Sequence, residues 1–225
     1  ISFTEKTTFR PFRTYDGSKT DALGFDNSIR NLPSNFPGIV ALNDIKLDLS
    51  GSRDTLVALG KKINNSSWKV KEKRMAYPGQ TLQMSGGFAF RKKDIQLGGV
   101  FALSYSNTLK FVEGTRTRFD ADGEYYYNYN DRSYNNSVTA ALLGNIGLIV
   151  KNNHKITFRN TYTINSDKTT YERNGVSIFS ATEQQRTNLE FISSRVLSSN
   201  VSGEHVFSAQ NIKWKWNGGV TINWR

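Results

Sequence analysis

The chain has 225 residues, 37% hydrophobic and 12% aromatic, with 18 glycines, 4 prolines and no cysteine, which excludes a disordered tail, a disulfide framework and cysteine chemistry. Two isolated histidines, His154 and His205, leave nothing for a metal, cofactor or catalytic cluster, so an enzyme is not the expected class. The net charge of +11 sits in short groups such as residues 71–74, 91–93 and 213–215, without an arm, basic helix or RNA-binding signature, so nucleic acid is not an expected partner. Mean hydropathy is -0.54, and the longest near-apolar run, residues 138–150, falls short of the roughly 18 residues a membrane-spanning helix needs.

In chain order, residues 1–10 read as a strand end. The opening ISFTEK shows neither an initiator Met nor a signal peptide, so a mature product or a piece of something longer is expected. Residues 11–77 form a very long connection with turn chemistry (YDGSKTD, NLPSNFPG). It contains one helix-like stretch at 54–63, with Leu56, Leu59 and Ile63 on a common face after the candidate cap Ser52. A loop of this length usually carries function. Its apolar residues Phe25, Ile29, Leu32 and Phe36 are the candidate contact residues for a partner.

From Leu82 the chain alternates: Leu82, Met84, Phe88 and Phe90 share one parity, and Gln83, Ser85, Ala89 and Arg91 the other. After a polar turn at 91–94, Ile95, Leu97, Phe101, Leu103 and Tyr105 continue the pattern as the second half of a hairpin. Val138, Ala140, Leu142, Ile146, Leu148 and Val150 alternate next. Past a turn at 151–154, Ile156, Phe158, Tyr162 and Ile164 oppose Lys155, Thr157, Arg159 and Thr161. Residues 176–197 read as a further strand whose parity shifts at a bulge. At the end Ile212, Trp214, Trp216, Val220, Ile222 and Trp224 oppose Lys213, Lys215, Asn217 and Arg225. This gives about seven strands, several longer than the usual 5–6 residues.

Two kinds of connection alternate. Residues 91–94, 151–154 and 198–203 are short, and residues 11–77, 115–133 and 167–175 are longer and more charged. Short turns at one end and long loops at the other are the layout of an outer-membrane β-barrel. A soluble sandwich also alternates, but a barrel wall sets large apolar and aromatic side chains toward lipid and small or polar ones toward a wet lumen. The expected lipid-facing or girdle residues are Phe88, Phe90, Phe101, Leu142, Phe158, Tyr162, Trp214, Trp216 and Trp224. The expected lumen-facing cations are Lys155, Arg159, Lys213, Lys215 and Arg225. Seven strands do not close a barrel, so the expected fold is an all-β, antiparallel sector of a larger transmembrane wall.

Three segments, TTFRPFRTYDGSKTDALGFDNSIRNLPSNFP (7–37), SSWKVKEKRMAYPGQTLQMSGGFAFRKKDIQLGGVFALSYSN (66–107) and VSGEHVFSAQNIKWKWNGGVTINWR (201–225), resemble TonB-dependent outer-membrane receptors. The resemblance is to the subgroup with a carboxypeptidase-regulatory-like N-terminal domain, and the GSKTDALGFD loop is its most specific part. It implies a barrel of 22 strands in the bacterial outer membrane, with nutrient import or a scaffold role. The implied partners are outer-membrane lipid, the rest of the barrel and a plug, and a surface lipoprotein or other outer-membrane subunits at residues 11–77. The chain departs from the family in showing no plug and no TonB box. The reading from another class is a soluble all-β adhesion or ligand-binding module.

Other motifs carry little. TLVALGKK (55–62) lacks the first glycine and the final hydroxyl of a phosphate loop. The glycosylation-like triplets at Asn64, Asn65, Asn135 and Asn200 read as loop residues. Asp120, Asp122 and Glu124 start like a calcium loop without completing one, and read as a solvated turn.

Overall fold

A period-two pattern sustained over many residues demands extended chain, and in the computed structural model most of the chain is strand. The structure describes residues 1–225 except 48–51, 64–67, 74, 179–180 and 225. Two short strands, β1 (Phe12–Tyr15) and β2 (Val70–Lys73), pair antiparallel. Between them lie a 3-10 turn (Lys19–Leu23) and helices α1 (Ile39–Leu47) and α2 (Ser52–Lys62). The rest is one six-stranded antiparallel sheet in which each strand pairs with the next. Its strands are β3 (Gln80–Lys92), β4 (Ile95–Phe119), β5 (Tyr125–Val150), β6 (His154–Ser177), β7 (Thr182–Phe207) and β8 (Ile212–Trp224). β4 to β7 run 24 to 26 residues, about 80 Å each at 3.3 Å per residue.

The all-β, antiparallel expectation holds at this level, with several corrections. The sheet is open, with β3 and β8 as its edges, and it has six members where about seven long strands are expected. Residues 1–10 contribute only isolated bridges, Ser2 to Gly79 and Thr8 to Ala76. Two expected long loops are mostly strand. Residues 115–133 shrink to a turn at 120–124, and residues 167–175 lie inside β6. The short turn expected at 198–203 is the middle of β7; the real turn is the 3-10 segment Ser208–Gln210, closed by Asn211 at φ 53.

The pairing of β7 with β6 and β8 has no register shift; the irregularity falls between Arg118 and Phe119, where β4 meets β5. The two misplaced loops share a cause: both faces of the upper sheet carry polar residues, so parity vanishes there although the ladder continues. Residues 198–203 lie lower, opposite 156–161, where the run Ser198, Ser199, Asn200, Ser202 and Gly203 reads as a turn by composition. α2 matches the expected helix, with Leu56 and Leu59 half-buried, whereas α1 occupies a stretch read as loop.

The register sorts the side chains. Phe90, Leu97, Leu148, Ile156, Gly203 and Trp216 oppose one another strand by strand, and so do Met84, Leu103, Leu142, Tyr162, Leu197 and Ile222. Opposed residues share a face, and so do every second residue along each strand, so one apolar face runs across the lower part of the sheet.

Higher up, the same face passes under the N-terminal segment. There Phe12, Ala76, Leu109 and Tyr134 form the buried core, with Phe12 1% exposed and set edge-on to Tyr134 at 5.4 Å. The outer edge of β4 above β3 is met by Thr7, whose Oγ1 accepts from the Phe111 N–H at 2.9 Å. No helix among the described residues is long and apolar enough to cross a membrane.

Candidate functional site

The lower part of the sheet brings the sequence-selected residues together on two opposite faces. Phe88, Phe90, Phe101, Leu142, Phe158, Tyr162, Trp214, Trp216 and Trp224 all lie on the apolar face, which among the described residues no other element covers below the Tyr105 row. Phe88, Phe101, Leu142 and Trp214 are each 50% exposed or more. Rings on this face lie over glycines of the neighbouring strand: a Cβ on Gly99 would meet Phe88 at 2.5 Å, and one on Gly203 would meet Trp216 at 2.3 Å. The missing side chains let the rings lie flat on the backbone and shield its ladder. In the middle of this band sits one polar pair, Asn160 and Ser199, joined by a hydrogen bond that the Ser199 hydroxyl donates to Asn160 Oδ1 at 2.7 Å.

Lys155, Arg159, Lys213 and Lys215 lie together on the opposite face, beside Thr157, Ser202 and Asn217. Glu204 sits among them and holds Lys213 at 2.6 Å and Lys215 at 3.3 Å. Lys155 and Arg159 line a shallow groove there without an ion-pair partner among the described residues. Arg225 lies outside the described residues.

The second assembly lies where the GSKTDALGFD segment meets the sheet. Ser18 caps the 3-10 turn: its Oγ accepts from the Thr20 N–H at 3.1 Å, and its own N–H donates to Asp21 Oδ1 at 3.2 Å, a reciprocal capping box. Asp21 then takes two hydrogen bonds from the Arg30 guanidinium, at 2.8 and 2.6 Å, and one from Lys168 Nζ of β6 at 2.8 Å. Arg30, its side chain 6% exposed, also pairs with Asp26 at 2.6 Å and stacks its guanidinium 4.2 Å above the Phe191 ring of β7. Tyr15 and Trp68, stacked on each other at 5.3 Å, close the other side. Burial opposes the charged form of Asp21, but the hydrogen bonds from Arg30 and Lys168 outweigh it and hold the carboxyl below its ordinary range. Lys73 is pulled down, by burial first and by Lys168 second.

The sequence-based expectations treat the histidines as isolated, and this is incorrect. Register places His154 opposite His205, Nδ1 to Nδ1 at 3.1 Å, and Trp216 Nε1 donates to His205 Nε2 at 3.0 Å. Their pairing is set by the β6–β7 connection between Ser177 and Thr182, which falls inside the 176–197 stretch that parity reads as one strand. Of the loop candidates, Phe25 and Phe36 are half-buried, while Ile29 and Leu32 are exposed. Residues 55–62 are helix. Asn135 and Asn200 are strand residues rather than loop residues; Asn135 donates to Asp167 at 3.0 Å and Asn200 to the Gly218 carbonyl at 3.1 Å. Asn64 and Asn65 lie outside the described residues. Asp120 Oδ1 accepts from the N–H groups of Asp122 and Glu124, closing the β4–β5 turn.

No protein-family model, curated protein or solved structure matches the chain. The class shown is therefore an open, antiparallel all-β meander with a covered upper half and a bare lower one.

Proposed function

We propose that the sheet is a sector of an outer-membrane β-barrel wall of the TonB-dependent receptor kind, serving nutrient import or acting as a scaffold in an outer-membrane complex. The observation that carries this reading is the bare apolar band. On β6 it runs from His154 to Tyr162, since Ile164 beyond it is 7% exposed beneath Gly24, and this is about 30 Å of strand. At a tilt of about 40° that is about 23 Å of height, close to the roughly 25 Å apolar band of such barrels. Trp214 and Trp216 mark its lower end, and Tyr105 and Trp224 its upper end, the arrangement of interfacial girdles.

On this reading Phe158 and its neighbours face lipid, and Lys155, Arg159, Lys213 and Lys215 face water. β3 and β8 pair with further strands, because hydrocarbon cannot solvate a ladder edge. The helices and Leu32, Ile39 and Val40, which are 58%, 78% and 71% exposed, offer apolar surface outside the cell to a surface lipoprotein or neighbouring subunit.

Fractionation tests the reading: the protein should stay in washed outer membranes and leave them only with detergent. A second reading, a soluble all-β adhesion or ligand-binding module, draws on the upper half, where protein covers protein as in a two-layer domain. Monodisperse protein released without detergent would select it. Deleting residues 36–63, which spares Arg30, should leave insertion intact and abolish co-purification of a surface partner; full retention of the partner would remove the docking role.

A further inference from the structure

We infer that residues 22–25 form a membrane-interface anchor that stops the sheet at a fixed depth in the outer leaflet; this rests on the wall reading above.

The first observation is which face the segment occupies. Among the described residues, the contacts that pin it to the sheet fall on the apolar face and not on the face of Lys155 and Arg159. The Tyr105 hydroxyl donates to the Ala22 carbonyl at 2.6 Å, and the Ser193 hydroxyl to the Gly24 carbonyl at 2.8 Å. Gly24, at φ +86, lies so close that a Cβ would meet Ile164 Cγ2 at 2.9 Å. Tyr105 and Ile164 share the row next above the bare band, where Ile164 is already 7% exposed under the segment, and Ser193 belongs to the row above that. The segment therefore crosses the sheet from β4 to β7 along the line where the bare band ends.

The second observation is what it presents there. Leu23, between the two docked residues, is 53% exposed. Lys19 is exposed at the start of the same 3-10 turn. Arg195, also exposed, stands in the row of Tyr105 and Ile164 without an ion-pair partner among the described residues. An apolar tip flanked by cations on flexible stems suits the boundary between acyl chains and anionic headgroups, where the stems bury and the charges reach phosphate. The capping box and the Asp21–Arg30 pair hold the tip rigid. The occupant is thus the lipid leaflet itself, with headgroup phosphates against Lys19 and Arg195 and the upper acyl region against Leu23.

The absence of native cysteine allows single-site fluorophores at Leu23→Cys, Phe158→Cys and Asn217→Cys. The labelled chain is reconstituted into vesicles of phosphatidylcholine brominated at shallow or at deep acyl positions. The label at 158 should be quenched most by deep bromines and the label at 217 by neither. The label at 23 should lose about half its emission to shallow bromines and little to deep ones, as expected for a group about 5–10 Å into the interface. Leu23→Cys sits at an exposed position, so folding is not at stake. Quenching at 158 with none at 23 would overturn the anchor while leaving the wall reading intact. No quenching at either would remove both. Protection at 23 that rises with protein concentration would assign the surface to a second copy instead, and overturn the lipid assignment.

Discussion

The upper and lower halves of one sheet face differ in what covers them, and their chemistry differs accordingly. In the lower half the face is mainly Phe, Leu, Ile and Trp, and the two members of its central polar pair, Asn160 and Ser199, are hydrogen-bonded to each other. In the upper half the same parity on the same strands carries Asn107, Ser166, Lys168, Thr170 and Glu172. These residues are not left to solvent: Thr170 is 1% and Glu172 8% exposed. A protein cover can supply hydrogen-bond partners, as Arg13 does for Glu172 at 2.5 Å and Asp21 for Lys168 at 2.8 Å, so polar residues are tolerated beneath it, although Thr170 Oγ1 and Asn107 Oδ1 are buried there without a partner among the described residues. A cover that cannot hydrogen-bond would impose a composition like the lower one. On the proposed wall reading, the contrast is one between burial by protein and burial by lipid.

The largest expected effect lies in the covered half. Arg30→Ala strips Asp21 and Asp26 of their shared cation and empties the space over Phe191; losing one member of a buried pair costs about 3–5 kcal/mol. The loss should be local. Hydrogen exchange should show β1 and residues 18–25 unprotected while β5 to β7 keep their protection. If the whole sheet loses protection, the two halves are one cooperative unit and the contrast fails.

Acid should loosen the same joint. The Asp21 carboxyl is held below its unfolded value, so its stabilisation is fully present above about pH 4 and is lost as pH falls through the lower folded value. Limited proteolysis within residues 26–63 should accelerate only in that acidic window. In Asp21→Asn the acid step should shrink, and an unchanged step would assign the loosening to other carboxylates.

In the lower half, Phe158→Arg places a charge near the middle of the bare band and should cost about 2–4 kcal/mol of folding free energy in vesicles if lipid is the cover. Leu142→Arg, in the Tyr162 row at the band's upper end, should cost less. Trp216→Arg lies at the band's edge, where the cost should fall toward zero to 1 kcal/mol. A flat profile with depth would point to a protein cover.

The same contrast explains what could be read in advance. The two faces of the lower half were legible from parity alone, because a face with one kind of cover has one kind of residue. The upper strands were not: around Asp131, Asp167 and Arg173 both faces are polar, and burial there depends on Phe12 and Tyr15, far away in sequence. A period-two pattern records the solvent of a face, and no local pattern records a distant loop that replaces that solvent. Arg30 was invisible for the same reason. Its partners Asp21 and Asp26 are near in sequence, but Trp68, Phe191 and the Asp21-bound Lys168 come together only through the fold.

The smallest expected effect tests the other side of the sheet. Thr157→Arg and Asn217→Arg add a cation to a face that already carries Lys155, Arg159, Lys213 and Lys215 around a single carboxylate, Glu204. If that face is wet, the new side chain remains hydrated, its repulsion with its neighbours is screened over about 8–10 Å, and the cost stays within about 0.5 kcal/mol, as at ordinary surface sites. The two substitutions should therefore leave unfolding midpoints almost unmoved while Phe158→Arg, one residue from Thr157 along β6, shifts them strongly. The size of the ratio between adjacent residues is the sharpest form of the comparison, because strand, depth and new side chain are nearly the same and only the face differs. Equal losses at 157 and 158 would mean that both faces are buried under apolar cover, the signature of a sandwich in a soluble module.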